Sequence, residues 1–442
     1  MDRGPLGILA CAGSLPIEIA EAATAAGRGV HLVGIEGFAE PGIAAYSHQI
    51  FSLGQIGGIL SSLRRAGCRQ LVIAGALHRP NLLRVRVDYG FFRAIRTVLR
   101  LTRGGDDSVL RRVVRFFEGE GFEIVGVDQV APHLLARAGA FGRVAASPAH
   151  TRAIARASEL LRALGAFDIG QGAVATEDRI VAVEGVRGTD AMLDEIRRRR
   201  TEAHAHGATD GRELAGAVLV KLPKPGQELR VDLPAIGPRT VEHAHACGLA
   251  GIVVAAGRSL VLERDQMIKM ADARGLFVAG IDDAAAPAVA RSSGAAAPLL
   301  FQPLGWHRAK TQEREDIAIG VEALAVMAAH NAGRAVVVVG EHVQGVDAGT
   351  GVQRLLGSLG RSSHWGLRVF KRRIGVLVVA ALEDIGTDGA EIERTLEAVA
   401  TAGLAGVAIV AADMNSPLVP LIKEYTGRRG LFALVANGGG CA

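Results

Sequence analysis

The sequence predicts an α/β fold, with an N-terminal Rossmann-like parallel-sheet domain followed by a second α/β domain that is duplicated. Three observations support this prediction. The chain has 442 residues, which is too long for one ordinary core. Residues 6–75 alternate apolar segments with helical ones, as in a parallel sheet covered by helices. Short segments from the middle of the chain also return, in the same order, near its end.

The N-terminal segment predicts a strand, a turn and a helix in succession. Residues 6–10 are a short apolar strand, and Gly13 and Ser14 lie in the turn, with Ser14 at the N-cap. Apolar segments at 30–35 and 70–75 predict two further parallel strands. Because parallel sheets bind ligands beyond the carboxyl ends of their strands, Gly13 and Ser14 are candidate anion-binding residues. An ordinary tight turn explains the same residues equally well.

Several function classes lack their characteristic motifs. The first turn reads GILACAGSLP and has no G-x-G-x-x-G, which argues against a nicotinamide-dependent oxidoreductase. The sequence also has no P-loop, no H-E-x-x-H and no G-x-S-x-G. Its net charge of +5 favours an anionic partner, but no nucleic-acid-binding module is present, so no nucleic-acid partner is predicted. The four cysteines are scattered and predict neither disulfides nor a zinc site.

Segment 89–103, YGFFRAIRTVLRLTR, predicts a basic amphipathic helix. Phe91 and Phe92 begin its apolar side, and arginines border that side. Two interpretations stay open: a surface helix packed on the core, or a helix that contacts acyl chains or anionic lipid. No apolar run is long enough to span a bilayer, so any membrane contact is predicted to be peripheral.

Four segments return at a nearly constant distance, which predicts a duplicated domain. The offsets are 157, 158, 155 and 155 residues. The pairs are EGVRGTD (184–190) with EHVQGVD (341–347), AVLV (217–220) with GVLV (375–378), CGLAGIVV (247–254) with AGLAGVAIV (402–410), and RGLF (274–277) with RGLF (429–432). We therefore expect an N-terminal domain at 1–140, a catalytic domain at 141–283, a linker at 284–307 and a degenerate duplicate at 308–442.

The two copies differ most in one loop. Residues 221–238 read KLPKPGQELRVDLPAIGP, and four prolines exclude a regular helix there. The second copy has lost all the prolines and both lysines of this loop, and Thr387 falls opposite Asp232. DIGQG (168–172) has no counterpart in the sequence of the second copy. The second copy keeps its strands but has lost these polar loops, which predicts a domain that kept its fold and lost a functional site. We therefore expect the 221–238 loop of the first copy to be functional.

The residues of this loop suit phosphate chemistry. Lys221 and Lys224 offer compact positive charges for phosphate oxygens, and Gln227 and Arg230 add donors. Asp232 lies in a stretch that prolines restrict, so its carboxylate can hold a divalent cation or orient a water molecule. Taken alone, Asp232 is also compatible with a turn-forming residue.

Seven motifs within residues 1 to about 283 resemble the LpxI-type UDP-2,3-diacylglucosamine pyrophosphatases of lipid A biosynthesis. These motifs are GILACAGSLPIEIAEAA, LGQIGG, AGALHRP, RGGDDSVLR, DIGQG, EGVRGTDAM and KPGQELRVDLPAIGP. The resemblance implies two α/β domains with the substrate between them. It also implies magnesium-dependent cleavage of the pyrophosphate to UMP and 2,3-diacylglucosamine 1-phosphate (lipid X).

The resemblance also assigns roles to individual residues. Asp232 is the expected catalytic and metal-binding residue. The expected substrate-binding residues are Gly13, Ser14, Arg79, Gln171, Thr189, Asp190, Lys221, Lys224 and Gln227. Cys11, Ala12 and Gly58 depart from the usual pattern of the family.

The same resemblance sets the expected location and partners. A cytoplasmic protein with transient contact to the inner-membrane surface is expected. The duplication, rather than the resemblance, predicts a homodimer or an intrachain pseudo-dimer, and a loosely tethered remnant is the open alternative for the added domain. Two alternative functions stay open: a non-catalytic regulator that retains the fold and binds a nucleotide sugar or lipid, and a Rossmann-type oxidoreductase.

Overall fold

The computed structural model describes most of the chain. The described ranges are 4–77, 86–91, 106–205, 214–283, 299–359 and 373–437. Arg79, Phe92 and most of the predicted 89–103 helix lie outside these residues, as does most of the expected linker.

The first sheet is entirely parallel, as the alternating pattern of the sequence predicts. Its strand order is β3-β2-β1-β4-β5. The strands are β1 Leu6–Ala10, β2 Val30–Ile35, β3 His48–Phe51, β4 Gln70–Ala74 and β5 Glu123–Ile124. The helices are α1 Leu15–Ala25, α2 Ile56–Arg65, α3 Asp106–Gly119 and α4 Val127–Val130. Separate apolar clusters cover its two faces, which is why the strands are almost continuously apolar.

The second sheet is mixed, with order β6-β13-β11-β9-β7-β8. Its central strands β9, β11 and β13 are parallel, and β6, β7 and β8 pair antiparallel to their neighbours. The strands are β6 Gly139–Ala140, β7 Gly172–Ala175, β8 Ile180–Val183, β9 Val218–Lys221, β11 Gly251–Ala255 and β13 Phe277–Ile281, beside a short pair of β10 Ala235–Ile236 and β12 Leu260–Val261. The helices are α5 Pro148–Leu164, α6 Gly188–Ala205, α7 Pro238–Cys247 and α8 Arg264–Ala273.

The third sheet has the same layout as the second. Its order is β14-β19-β18-β17-β15-β16, with three central parallel strands and three antiparallel ones in matching places. The strands are β14 Phe301–Pro303, β15 Ala335–Val339, β16 His342–Asp347, β17 Val376–Ala381, β18 Gly406–Ala412 and β19 Phe432–Asn437. The helices are α9 Thr311–Ala329, α10 Val352–Leu359, α11 Gly389–Thr401 and α12 Leu418–Arg429. Each helix follows the same strand as its counterpart in the second sheet.

Strand pairing shows that one of the four sequence matches is wrong. The first segment, EGVRGTD (184–190), begins after strand β8 and ends inside helix α6. The second, EHVQGVD (341–347), begins at the last residue of a hairpin turn and continues as strand β16. Gly188 has φ 81°, and Gly340 and Glu341 have φ 59° and 68°, so both segments contain turn-forming residues but serve different turns. The other three matches fall on equivalent strands.

The expectation that DIGQG has no counterpart is also wrong for the backbone. Gly172 of β7 pairs with Lys221 of β9, and Ala335 of β15 pairs with Val379 at the equivalent position of β17. Residues 331–335 are therefore the structural counterpart of residues 168–172. Asp168 and Asn331, which begin these segments, are both left-handed, with φ 57° and 48°. Asp and Asn tolerate this conformation better than other non-glycine residues, so the bend persists although the side chains differ.

The second and third sheets share one apolar core. The shared cluster joins α5 and one face of the second sheet to α9 and one face of the third. The opposite face of the second sheet is covered by α6, α7 and α8, and that of the third by α10, α11 and α12.

Candidate active site

The 221–238 loop leaves the end of β9 and joins the first domain to the second. Val231 packs against the cluster on one face of the N-terminal sheet, and Leu233 packs against the cluster on the other. Asp232 lies between these two anchors, and Ala235 and Ile236 then form β10. The loop is therefore ordered by contacts with both domains, and Asp232 is held where the domains meet.

Four residues of the second domain form a hydrogen-bonded chain that ends on Asp232, and Lys224 contributes both its ammonium group and its backbone N–H. Nζ of Lys224 lies 2.5 Å from Oδ1 of Asp168. The backbone N–H of Lys224 donates to Oε1 of Gln227 at 2.8 Å, and Nε2 of Gln227 donates to Oδ2 of Asp232 at 2.6 Å. Because its amide oxygen is already used, Gln227 must present its NH₂ group to Asp232, which fixes the orientation of the carboxylate.

Lys221 lies beside this chain with its ammonium group largely removed from water. The residue is 9% exposed, and its Nζ donates to the backbone oxygen of Ala235 at 3.1 Å. The neighbouring Leu222 donates its N–H to the backbone oxygen of Gln171 at 2.8 Å, so Gln171 joins the same region. Lys221, Lys224 and Gln227, which the sequence identifies as candidates, are thus buried together near Asp232.

An ion-pair network attaches the loop to the N-terminal domain. Arg230 donates two hydrogen bonds of 2.8 Å to the carboxylate of Glu228 and one of 2.8 Å to Glu118 on α3. The hydrogen bond from Arg230 lowers the pKa of Glu228, and its partners raise the pKa of the Arg230 guanidinium. The network restrains the segment that leads directly into Asp232.

Two other predicted residues lie at the start of α6. Thr189 donates its hydroxyl to Glu184 at 2.9 Å. Asp190 forms an ion pair with Arg239 at 3.1 Å and lies 3.4 Å from Nδ1 of His243, both on α7. The contacts of Asp190 join α6 to α7, and the hydrogen bond of Thr189 holds the turn before α6. Neither set of contacts links these residues to Asp232 among the described residues.

The first turn of the N-terminal domain differs from its prediction in one respect. Ser14 occupies the N-cap position of α1, but its side chain caps no backbone N–H. Its backbone is already helical, and its hydroxyl instead donates to Glu18 at 2.7 Å. Gly13 has φ 95° and donates its N–H to Glu40 at 3.3 Å.

Comparison with known proteins gives the family. Residues 5–134 match a family model described as the LpxI N-terminal domain, and residues 137–279 match one described as the LpxI C-terminal domain. The UDP-2,3-diacylglucosamine pyrophosphatase LpxI of Caulobacter vibrioides is 41% identical over 278 residues, which are 63% of this chain and 97% of that relative. The chain belongs to the LpxI family. Both matched ranges end before the third sheet.

One departure from the expected LpxI pattern, Gly58, has a visible steric basis. A Cβ atom at Gly58 would lie 2.7 Å from the ring of Phe51. The N–H groups of Gly57 and Gly58, at the start of α2, donate to the carboxylate of Asp88. In this LpxI chain, the start of α2 is therefore closed by an acidic side chain, and a larger residue at 58 requires the Phe51 ring to move.

The donor set at Asp232 fits a magnesium ion that is shared with a phosphate ligand. Among the described residues, no group of three His, Cys, Asp or Glu side chains could hold a metal ion. Asp168, the other carboxylate of the hydrogen-bonded chain, is neutralised by Lys224. Mg²⁺ commonly takes one or two protein carboxylates and completes its shell with phosphate oxygens and water, which one carboxylate at Asp232 can satisfy.

Sequence reasoning missed Asp168 and the ion pairs that Arg230 forms with Glu118 and Glu228. Asp168 stands first in the DIGQG motif, of which only Gln171 was selected, and its left-handed backbone aims it at Lys224. Glu228 and Arg230 lie inside the singled-out loop, but their pairing depends on α3, more than 100 residues earlier in the chain. No helix of the described ranges is long and apolar enough to cross a membrane.

Proposed function

We propose that this chain hydrolyses the pyrophosphate of UDP-2,3-diacylglucosamine to UMP and 2,3-diacylglucosamine 1-phosphate, a step of lipid A biosynthesis. The LpxI relative that shares 41% of its residues carries the corresponding enzyme name. The single observation that carries the proposal is the hydrogen-bonded chain from Asp168 through Lys224 and Gln227 to Asp232. It holds a carboxylate beside buried lysines at the boundary between two domains.

Each group of this region has a defined part in the hydrolysis. The diphosphate of the substrate is anionic, and Lys221 and Lys224 supply positive charge where water is largely excluded, which strengthens their attraction for it. Asp232, held by Gln227, accepts a hydrogen bond from the attacking water and can take its proton. The water oxygen bonds to one phosphorus, the bridging P–O bond breaks, and the other phosphate leaves with the electron pair.

Magnesium is the proposed cofactor. Asp232 is the residue that would hold it, together with oxygens of the substrate diphosphate. When bound, the ion neutralises charge on the phosphates and makes phosphorus more electrophilic. Gln171, Thr189, Asp190, Gly13 and Ser14 are proposed as substrate-binding residues on the basis of the family motifs alone.

This function can be tested with the purified protein. The assay measures UMP release from UDP-2,3-diacylglucosamine in the presence of Mg²⁺ or of EDTA. We expect UMP in stoichiometric amount with the lipid monophosphate, and only when Mg²⁺ is present. The competing function, a non-catalytic regulator, predicts saturable binding of the substrate with no UMP under either condition. UMP release that persists in EDTA would support the hydrolase function but contradict the proposed dependence on Mg²⁺.

We also propose transient contact between this cytoplasmic enzyme and the inner-membrane surface. Support comes from three exposed apolar side chains that flank the undescribed segments, Leu77, Val87 and Tyr89. Tyr89→Glu is expected to weaken sedimentation with anionic phospholipid vesicles. Trp306→Glu, an equally exposed aromatic position in the third domain, serves as the control. Equal loss in both variants would contradict the assigned surface.

We further propose that the third domain is a degenerate duplicate of the second and that the two form an intrachain pseudo-dimer. Identical strand order, identical strand directions and three sequence matches on equivalent strands support this origin. The N-terminal domain is assigned as Rossmann-like because of its parallel order 3-2-1-4-5.

A further inference from the structure

The second domain covers the two faces of its sheet unequally. Three helices lie against one face, whereas α5 alone, among the described helices of this domain, lies against the other. Six strands span roughly 29 Å, and a helix with its side chains is about 10–12 Å wide. One helix therefore leaves much of an apolar sheet face to be covered by something else. We call this the single-helix face.

In this chain, the equivalent face of the third domain covers the single-helix face. The helix α5 packs against α9, its counterpart. At the edge, β8 lies next to β16, its own counterpart, and the N–H of Val186 donates to the oxygen of Gln344 at 3.3 Å. Arg354 of α10 pairs with Glu202 of α6 at 2.9 Å, which joins a third pair of counterparts.

Contact of each element with its own counterpart is the geometry of an isologous interface. Such an interface relates two copies of one surface by a two-fold axis, and it is what a symmetric homodimer uses. The LpxI relative aligns over 97% of its length within the first two domains of this chain, so it has no third domain to place on this face.

We infer that the single-helix face of the second domain is a self-association surface whose partner is a second copy of the same domain. In this chain the third domain occupies that surface, which keeps the full-length protein monomeric. Without the third domain, two copies meet through α5 and the β8 edge, because the exposed face is apolar and already complementary to a domain of the same fold.

Sedimentation of a fragment that ends at residue 283 tests the inference. The fragment is expected to fold, because the LpxI relative matches over 97% of its length and has only these two domains. We expect a monomer for the full chain and a dimer for the fragment. Ile154→Glu places a charge on α5 in the single-helix face, and we expect the fragment carrying it to be monomeric. Ile268→Glu is the matched control, because Ile268 is a half-buried isoleucine on α8 at the opposite face, and this fragment should stay dimeric.

The other outcomes are decisive as well. A wild-type fragment that stays monomeric at all concentrations overturns the inference. If the wild-type fragment aggregates, Ile154→Glu must restore a soluble monomer while Ile268→Glu does not. Aggregation that Ile154→Glu leaves unchanged counts against the surface, and so does loss of the dimer in both variants.

Discussion

The loops that follow β9 and β17 leave equivalent strands but carry different chemistry. The turn is the same in both: Gln227 donates its N–H to the oxygen of Lys224, and Ile385 donates its N–H to the oxygen of Leu382. Where the second domain has Lys224 and Gln227, the third has Leu382 and Ile385, each 1% exposed. At the ends of the hydrogen-bonded chain, Asn331 stands in place of Asp168, and Thr387 falls opposite Asp232.

The comparison separates what folding needs from what it does not. Replacing a buried ion pair by apolar side chains of similar size is often neutral or stabilising, since desolvation of the charges offsets much of their attraction. The third domain keeps the backbone turn and the left-handed residue without any of the four polar side chains. The backbone of this turn therefore does not require the polar chain of the second domain.

The largest expected effect is that of Asp232→Asn on turnover. Removing the negative charge that aligns the attacking water should lower kcat about a hundredfold or more, as for other electrostatic groups that act in a transition state. Gln227 can still donate to the amide oxygen, so circular dichroism should show an unchanged fold. Thr387→Asn at the opposite position of the third domain is the control. Equal activity of Asp232→Asn and the wild type would remove Asp232 from the site.

Replacing loop residues of the second domain by their third-domain counterparts (the transplant variant) should have the next largest effect on activity. The triple variant Asp168→Asn, Lys224→Leu and Gln227→Ile removes both partners of the ion pair, cuts the hydrogen-bonded chain and keeps the turn. Since hydrogen bonds to charged groups contribute about 1.5–3 kcal/mol, kcat/KM should fall roughly tenfold or more. Denaturant unfolding should show equal or greater stability. Arg334→Leu, which breaks the ion pair with Asp384 in the third domain, should leave UMP release unchanged. A transplant that lost stability but kept activity would reverse our interpretation.

Asp388 should matter to stability alone. It lies at the N-cap of α11, where its carboxylate accepts the N–H of Glu391 at 2.8 Å. Asp388→Ala should lower the free energy of unfolding by about 1 kcal/mol. Activity should stay at the wild-type value, because this acidic residue caps a helix. A large drop in kcat would mean that the third domain retains a catalytic part.

The smallest effect concerns Arg230, which ties the 221–238 loop of the second domain to α3 of the N-terminal domain. Because Arg230 lowers the pKa of Glu228, the pair stabilises the fold above the ordinary carboxyl pKa of about 4.3. That stability is lost as pH falls through the lowered pKa and Glu228 becomes protonated.

For these partly exposed groups, Arg230→Gln should cost up to about 1 kcal/mol at pH 7. The cost should shrink towards zero near pH 3 in thermal unfolding. A cost that is the same at both pH values would show that Arg230 acts through packing.

The sequence predicted the parallel N-terminal sheet and identified the loop of Lys221 and Lys224 because both follow local patterns. Apolar runs between turns predict strands, and a loop that a duplicate has lost predicts a site. The register of EGVRGTD was wrong because two different turns use similar residues. Asp168 and the ion pair of Arg230 with Glu118 were missed because both depend on partners that tertiary packing brings together.

The core shared by the second and third domains has a consequence for synthesis on the ribosome. The second domain is complete at about residue 283, but its single-helix face gains its cover only when the last strand, Phe432–Asn437, has been made. At 5–20 residues per second, the intervening segment of about 150 residues takes roughly 8–30 s to translate. During that interval, neighbouring nascent chains on one message present matching apolar faces to each other. Ribosome-bound chains with a C-terminal spacer that places residue 300 outside the exit tunnel should therefore crosslink in pairs, and chains whose spacer places residue 437 outside the tunnel should not.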